Sequence, residues 1–269
     1  MEHVLDHRLH VVETTDWKDA VIALLEPRSP YQPWRYGTDE AEEGDTVAFV
    51  LNTDPPSVLA DVARLETDAH PRTAVFERPL RQPNLVELST LAKVLGLEVW
   101  AARGWSFGGD DAIKLELSLD ECRYWCAPAS RFGHNSMAAA RTLLRFDGQC
   151  DGCERDIDLT MSGARDQVVV HTVDPHTRPQ PGSLDVNVGD WPAVLCRSCR
   201  NRMDEMGFAS FVDYKGVLHP PCPGCGARRT RRTFYGMPSD FMNIPPWLNA
   251  GGCCPEPEEW WCFACGHSW

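Results

Sequence analysis

Eight of the chain's twelve cysteines fall into four Cys-x-x-Cys pairs: Cys150/Cys153, Cys196/Cys199, Cys222/Cys225 and Cys262/Cys265. Such a turn presents two sulfurs on one knuckle, and a tetrahedral zinc ion takes four thiolates, so four knuckles imply two structural zinc sites. Sequence order pairs neighbours, joining the first two knuckles and then the last two, with an interleaved pairing as the alternative. A disulfide framework would need an oxidising compartment. The N-terminus, MEHVLDHRLHVVETTDW, has no basic-then-apolar export pattern. A thiol-disulfide oxidoreductase would need its motif in a βαβ setting, which does not surround these pairs. The remaining Cys122, Cys126, Cys253 and Cys254 read as buried thiols, since a third site would require distant segments to meet.

At 269 residues with 43% hydrophobic content, the chain has a core to bury and room for several domains. No apolar run reaches the 18 to 20 residues, roughly, that a membrane span needs, and a cytoplasmic location is expected. The net charge of −13 argues against the whole surface binding a polyanion. Charge is unevenly spread, however. Residues 1–120 carry 22 acidic and 11 basic residues, whereas 196–235 carry three acidic and eight basic ones. Arg197, Arg200, Arg202, Arg228, Arg229, Arg231 and Arg232 lie around the knuckles, and guanidinium forks suit phosphate oxygens. The competing reading is a salt-bridged surface facing the acidic N-terminal part.

The expected class is α+β in three parts: a mixed α/β domain over 1–120, a zinc-stapled unit over 121–215 and a zinc ribbon over 216–269. In the first part, strands are expected at Thr46 to Thr53 and Ile113 to Leu119, with a helix from Leu85 to Leu95 stopped by Gly96. The segment YQPWRYGTDEAEEGDTVAFVLN resembles the PUA-like and EVE group, in which an aromatic loop precedes a GDxVxF strand. That resemblance implies a pocket that holds a flipped base between aromatic rings, with Tyr31, Trp34, Tyr36, Trp100 and Trp105 as candidates.

In the middle part, HNSMAAARTLLRFDGQ starts with an Asn/Ser cap and reads as a helix leading toward the first knuckle. Gln167 to Val173 reads as a β-branched strand that brings His171 to a loop edge, and Pro175 to Gly189 as a loop. CRSCRNRMDEMG reads as a knuckle opening a short helix that Gly207 ends. This order of helix, knuckle, strand ending in histidine, loop and second knuckle resembles the HNH nuclease family over roughly Asn135 to Gly207. The resemblance implies a ββα fold held by zinc and a histidine that takes a proton from water beside a divalent ion such as magnesium. On that likeness His171 is the base, Asp190 or its neighbour stands where a loop-positioning asparagine is found, and Asn201 lies near the last polar position. Asp174 and His176 are alternative metal ligands. The chain departs from the family pattern in having Val170 before His171 and Arg200 directly after the knuckle.

The last part, with CPGCG, YGMP, GGC and the terminal WCFACGHSW, resembles a small bacterial zinc ribbon over Cys222 to Trp269. This likeness implies a metal staple and no particular activity. Taken together, the sequence leads to an expectation of metal-dependent DNA phosphodiester cleavage, directed at modified DNA if the first part reads a base. A non-catalytic nucleic-acid or protein adaptor is the alternative.

Overall fold

The computed structural model describes residues 8–29, 34–35, 42–66, 73–75, 84–95, 106–125, 131–177, 188–237 and 244–269. The chain forms two compact units. The first comprises Met1–Ser130, Asn135–Asp147 and Asp158–Arg165, and the second Arg131–His134, Gly148–Ile157 and Asp166–Trp269. Both cysteine clusters therefore belong to one unit.

The first unit is built on a seven-stranded mixed sheet. Strands β1 (Arg8–Thr14), β2 (Trp34–Arg35), β3 (Thr46–Leu51), β4 (Ser57–Glu66) and β5 (Thr73–Val75) run in the order β2-β1-β3-β4-β5. Of these pairs only β1 with β3 is parallel. Strand β6 (Leu85–Glu87) adds to β4, and β7 (Ser106–Gly108) adds to β1. Leu9, Val11, Ala48, Val50, Val58 and Ala60 pack with helices α2 (Leu88–Leu95) and α3 (Gly109–Trp125) in one buried cluster. Helix α1 (Trp17–Leu25) starts at Asp16, whose carboxylate accepts from the backbone N–H groups of Lys18 and Asp19. Helix α4 (Ser136–Leu143), capped by Asn135, packs on α1 and buries Met137, Ala138, Ala139, Ala140, Thr142 and Leu143.

The strand expected at Thr46 is β3, and the helix expected from Leu85 begins at Leu88 after a short strand. Ile113 to Leu119 is not a strand. It lies inside α3, because Ala112, Leu115, Leu119 and Cys122 recur at helical spacing and reach the core. The alternation Ile113, Leu115, Leu117, Leu119 mimics a strand only because Leu117 is apolar and faces out, 61% exposed.

The second unit begins with an antiparallel pair, β8 (Val168–His171) and β9 (Ala193–Cys196), followed by helix α6 (Arg197–Glu205). A short helix, α5 (Ala164–Gln167), runs directly into β8. Gly207 (φ 74°) follows α6. Helix α7 (Phe211–Leu218) follows, then a three-stranded sheet in the order β11 (Leu248–Ala250), β10 (Thr230–Phe234), β12 (Trp260–Cys262). Helix α7 has a sequence signal, Ser210-x-x-Asp213. The Ser210 hydroxyl accepts from the Asp213 N–H, as a capping residue does.

Candidate functional site

Each pair of neighbouring knuckles converges. Cys150, Cys153, Cys196 and Cys199 form one group and Cys222, Cys225, Cys262 and Cys265 another, with all four sulfurs of each within 4.8 Å of one another. Sulfur separations of 3.9 Å (Cys153 to Cys196) and 3.6 Å (Cys222 to Cys265, Cys225 to Cys262) fit tetrahedral zinc, whose bonds of about 2.3 Å imply edges of about 3.8 Å. Acidity is split within the first group. In the first group burial would raise Cys153, but Arg155 and neighbouring sulfurs outweigh it and bring the thiol down to about 6. Cys199 is pushed up by burial and by the charge of Cys150. Four thiolates this close require a cation, and the two groups could hold two zinc ions. Among the described residues no third group of this kind exists. Cys122 packs against the core of the first unit, Cys253 and Cys254 are exposed rather than buried, and Cys126 lies outside the described residues. The Cys253-Cys254 pair follows Gly251 and Gly252, in a loop with no core to enter.

Helix α7 serves both groups. The ammonium of Lys215, 2% exposed, donates to the carbonyls of Asp151 and Gly152 in the first knuckle and to the Glu154 carboxylate. Its positive charge sits beside a cluster that would carry a net negative one around zinc. Tyr214 on the same helix is buried near Cys199, and its phenol is pushed up by burial and by that sulfur's charge. From beyond the third knuckle, Arg229 pairs with Asp213 at 3.0 Å, and Arg232 on β10 reaches the other oxygen of Glu154 at 2.9 Å. At the helix end His219 donates from Nδ1 to the Thr230 carbonyl and packs edge-on against Trp260. The two metal groups are thus parts of one body.

His171 closes β8, with Nε2 2.8 Å from Asp190 Oδ2. Asp190 is itself fixed, because its other oxygen accepts from the backbone N–H groups of Trp191 and Phe211. Arg200 approaches Nδ1 of His171 at 3.4 Å and also forks onto Asp204. A guanidinium can only donate, so Nδ1 is the acceptor and the proton sits on Nε2, facing the carboxylate. The imidazole is 5% exposed, at the wall of an open concavity of 490 Å³ lined also by Thr172, Arg200, Asp204 and Phe208.

The other residues singled out from the sequence do not converge on this imidazole. Asp174 and His176 are exposed in a 3-10 turn, where Asp174 accepts from the His176 N–H. With His171 they do not make a three-donor metal group. Asn201 is exposed on α6. Among the arginines, Arg197 binds the Asp166 carbonyl, and Arg231 is buried against the rings of Trp261 and Phe263. Arg202 and Arg228 are exposed. Salt bridges within the chain therefore account for Arg200, Arg229 and Arg232. Trp34 pairs through β2 with Thr14, while Tyr31, Tyr36, Trp100 and Trp105 lie outside the described residues. Among the described residues no helix is long and apolar enough to cross a membrane.

The chain matches no family model, no curated protein and no solved structure. Sequence reasoning overlooked Lys215, a lone lysine in an apolar stretch whose role depends on a knuckle 61 residues away. It also overlooked a cluster in the first unit, where His10 lies between Asp45 and Ser106.

Proposed function

We propose that the ββα unit binds a nucleic-acid phosphodiester in the concavity beside Arg200 and hydrolyses it, with His171 as the base. The reading is carried by the geometry of the Asp190–His171 pair. The carboxylate holds the proton on Nε2, and the Nδ1 lone pair, which now accepts from Arg200, is freed to take a proton from water once a substrate phosphate draws the guanidinium away. In HNH-like sites a divalent ion offsets the charge building on phosphorus. Here Arg200 stands directly after the knuckle, so its guanidinium fork supplies cationic charge to the phosphate once a substrate draws it from Asp204. A divalent ion such as magnesium would then bind through substrate oxygens. The first unit joins this reading as a PUA-like base reader: the TVAF of its GDTVAF segment opens β3, as that likeness calls for. DNA, modified or not, is the proposed substrate, and two zinc ions hold the scaffold.

A second reading, an adaptor that binds nucleic acid or protein without cutting, draws on the low exposure of His171 and on the arginines already paired with carboxylates. A plasmid-nicking assay with magnesium, manganese, nickel or no added ion separates the two. Nicking that falls at least about a hundredfold in His171→Ala, with zinc content unchanged, supports hydrolysis. Wild-type protein that binds DNA but leaves modified and unmodified plasmids intact with every ion establishes the adaptor.

A further inference from the structure

A second histidine–aspartate pair lies in the first unit, and it ends on a nucleophile. Residue His10 is on β1 and Ser106 on β7, directly opposite each other in the antiparallel register. Imidazole Nδ1 lies 2.8 Å from the Ser106 hydroxyl, and Nε2 lies 2.7 Å from Asp45 Oδ2. Three segments separated by 35 and 96 residues thus bring carboxylate, imidazole and hydroxyl into one line.

The protonation pattern follows from the partners. A carboxylate only accepts, so Nε2 carries the ring proton and Nδ1 is left to accept from the serine. Asp45 is anchored as well, because the same oxygen accepts from the Glu42 N–H and its carbonyl accepts from the Leu65 N–H. His10 is 3% exposed, which fixes the ring between its partners, whereas Ser106 is exposed at the outer end. Two residues on, and therefore on the same face of the strand, stands Gly108. Among the described residues a Cβ built there would meet nothing within 4 Å, so none of them crowds the ground beside the hydroxyl.

From this geometry we infer that Ser106, His10 and Asp45 form an acyl-transfer site for uncharged carboxylic esters. Ser106 Oγ attacks the carbonyl carbon while its proton passes to His10 Nδ1. The carbonyl π electrons move to oxygen and return as the C–O bond to the alcohol breaks. The proton on Nδ1 goes to the departing alkoxide, giving an alcohol and an acyl-serine. Water repeats the sequence, its proton passing to Nδ1 and then back to Ser106, and the carboxylic acid leaves. The sum is ester plus water to acid plus alcohol, with no other reactant needed. Substrate charge is set by the surroundings: exposed Glu42 and Glu43 lie just before Asp45 in sequence and exposed Asp110 and Asp111 shortly after Ser106, and they repel anions.

The test is covalent labelling of the full chain with a fluorophosphonate, mapped by mass spectrometry, alongside hydrolysis of p-nitrophenyl acetate. The expected result is a single adduct on Ser106, absent from heat-unfolded protein and from Ser106→Ala. Asp45→Asn, which keeps shape and hydrogen bonding, should slow labelling and ester turnover by at least about tenfold at unchanged Ser106 occupancy of the end point. Folded wild-type protein that takes no adduct at Ser106, or labels there as fast unfolded as folded, overturns the assignment and leaves His10 a cross-strand tie. Ester turnover that persists in Ser106→Ala overturns it equally.

Discussion

Glu154 and Lys215 meet at 3.0 Å across 61 residues of chain, and Glu154 holds that place in a left-handed backbone conformation, φ 59°. The position directly after the second cysteine of a knuckle is Gly226 (φ 75°) and Gly266 (φ 71°) in the two knuckles of the second cluster. A side chain in this region costs about 1–2 kcal/mol, so the first knuckle carries strain that glycine would not. What offsets it is the reach of Glu154 to two cations, Lys215 and Arg232.

Two substitutions separate strain from pairing. Glu154→Ala loses both ion pairs and keeps the strain, whereas Glu154→Gly loses the pairs and relieves it. Chemical denaturation of the zinc-loaded chain should find the glycine variant more stable than the alanine variant by about 1 kcal/mol.

Lys215→Met should be more damaging than either. It removes the donor to two knuckle carbonyls in a buried setting, and unsatisfied buried acceptors cost about 1–3 kcal/mol each. The variant is expected to unfold at lower temperature and to release zinc to a chelator faster, with the ribbon's secondary structure melting alongside the first knuckle rather than after it.

Metal content follows the two clusters. Mass spectrometry under native conditions should give two zinc ions per chain, and Cys150→Ser or Cys262→Ser should each lose one. Gly152→Ala is the subtler probe. Its Cβ would stand 2.9 Å from Cys199 Sγ, a ligand atom with no freedom to move aside. Zinc affinity at the first site should fall by about tenfold or more, measured by competition with a chelating dye.

Acid sensitivity of the first unit should depend on Asp16. Burial would raise its carboxyl, but Arg165 and the N–H groups of Asp19 and Lys18 outweigh that and hold it below its ordinary value of 3.8. A carboxyl depressed on folding stabilises the fold at pH values above its unfolded value, and the contribution is lost as pH falls through the folded value. Asp16→Asn keeps the cap and loses the ion pair, which is more than a third exposed and screened, so it should cost under about 1 kcal/mol at pH 7. The gap to wild type should close as denaturation curves are taken at successively lower pH. Asp16→Ala, which also loses the cap, should cost about 1 kcal/mol more.

The knuckles were legible because metal chemistry writes its spacing locally: two cysteines three residues apart are visible without knowing where the partner pair lies. Helix α4 was equally plain from Asn135 and its alanine-rich face. What escaped was set by distance. Nothing near Lys215 announces a carbonyl in another segment, and His10, Asp45 and Ser106 are ordinary residues until β1 and β7 pair. Helix α3 was misread for a different reason. Its solvent-facing Leu117 completes a two-residue alternation, and only the position of the core tells that one leucine of the series has no part in it.

Helix α7 also limits how this chain can be taken apart and reused. A gene fusion borrowing residues 216–269 would carry away Arg229 and Arg232 without Asp213 and Glu154, the acids that answer them. A graft ending at 215 would keep Lys215 but cut its helix three residues short of the end. Domain shuffling would have to move both metal knots as a single cassette.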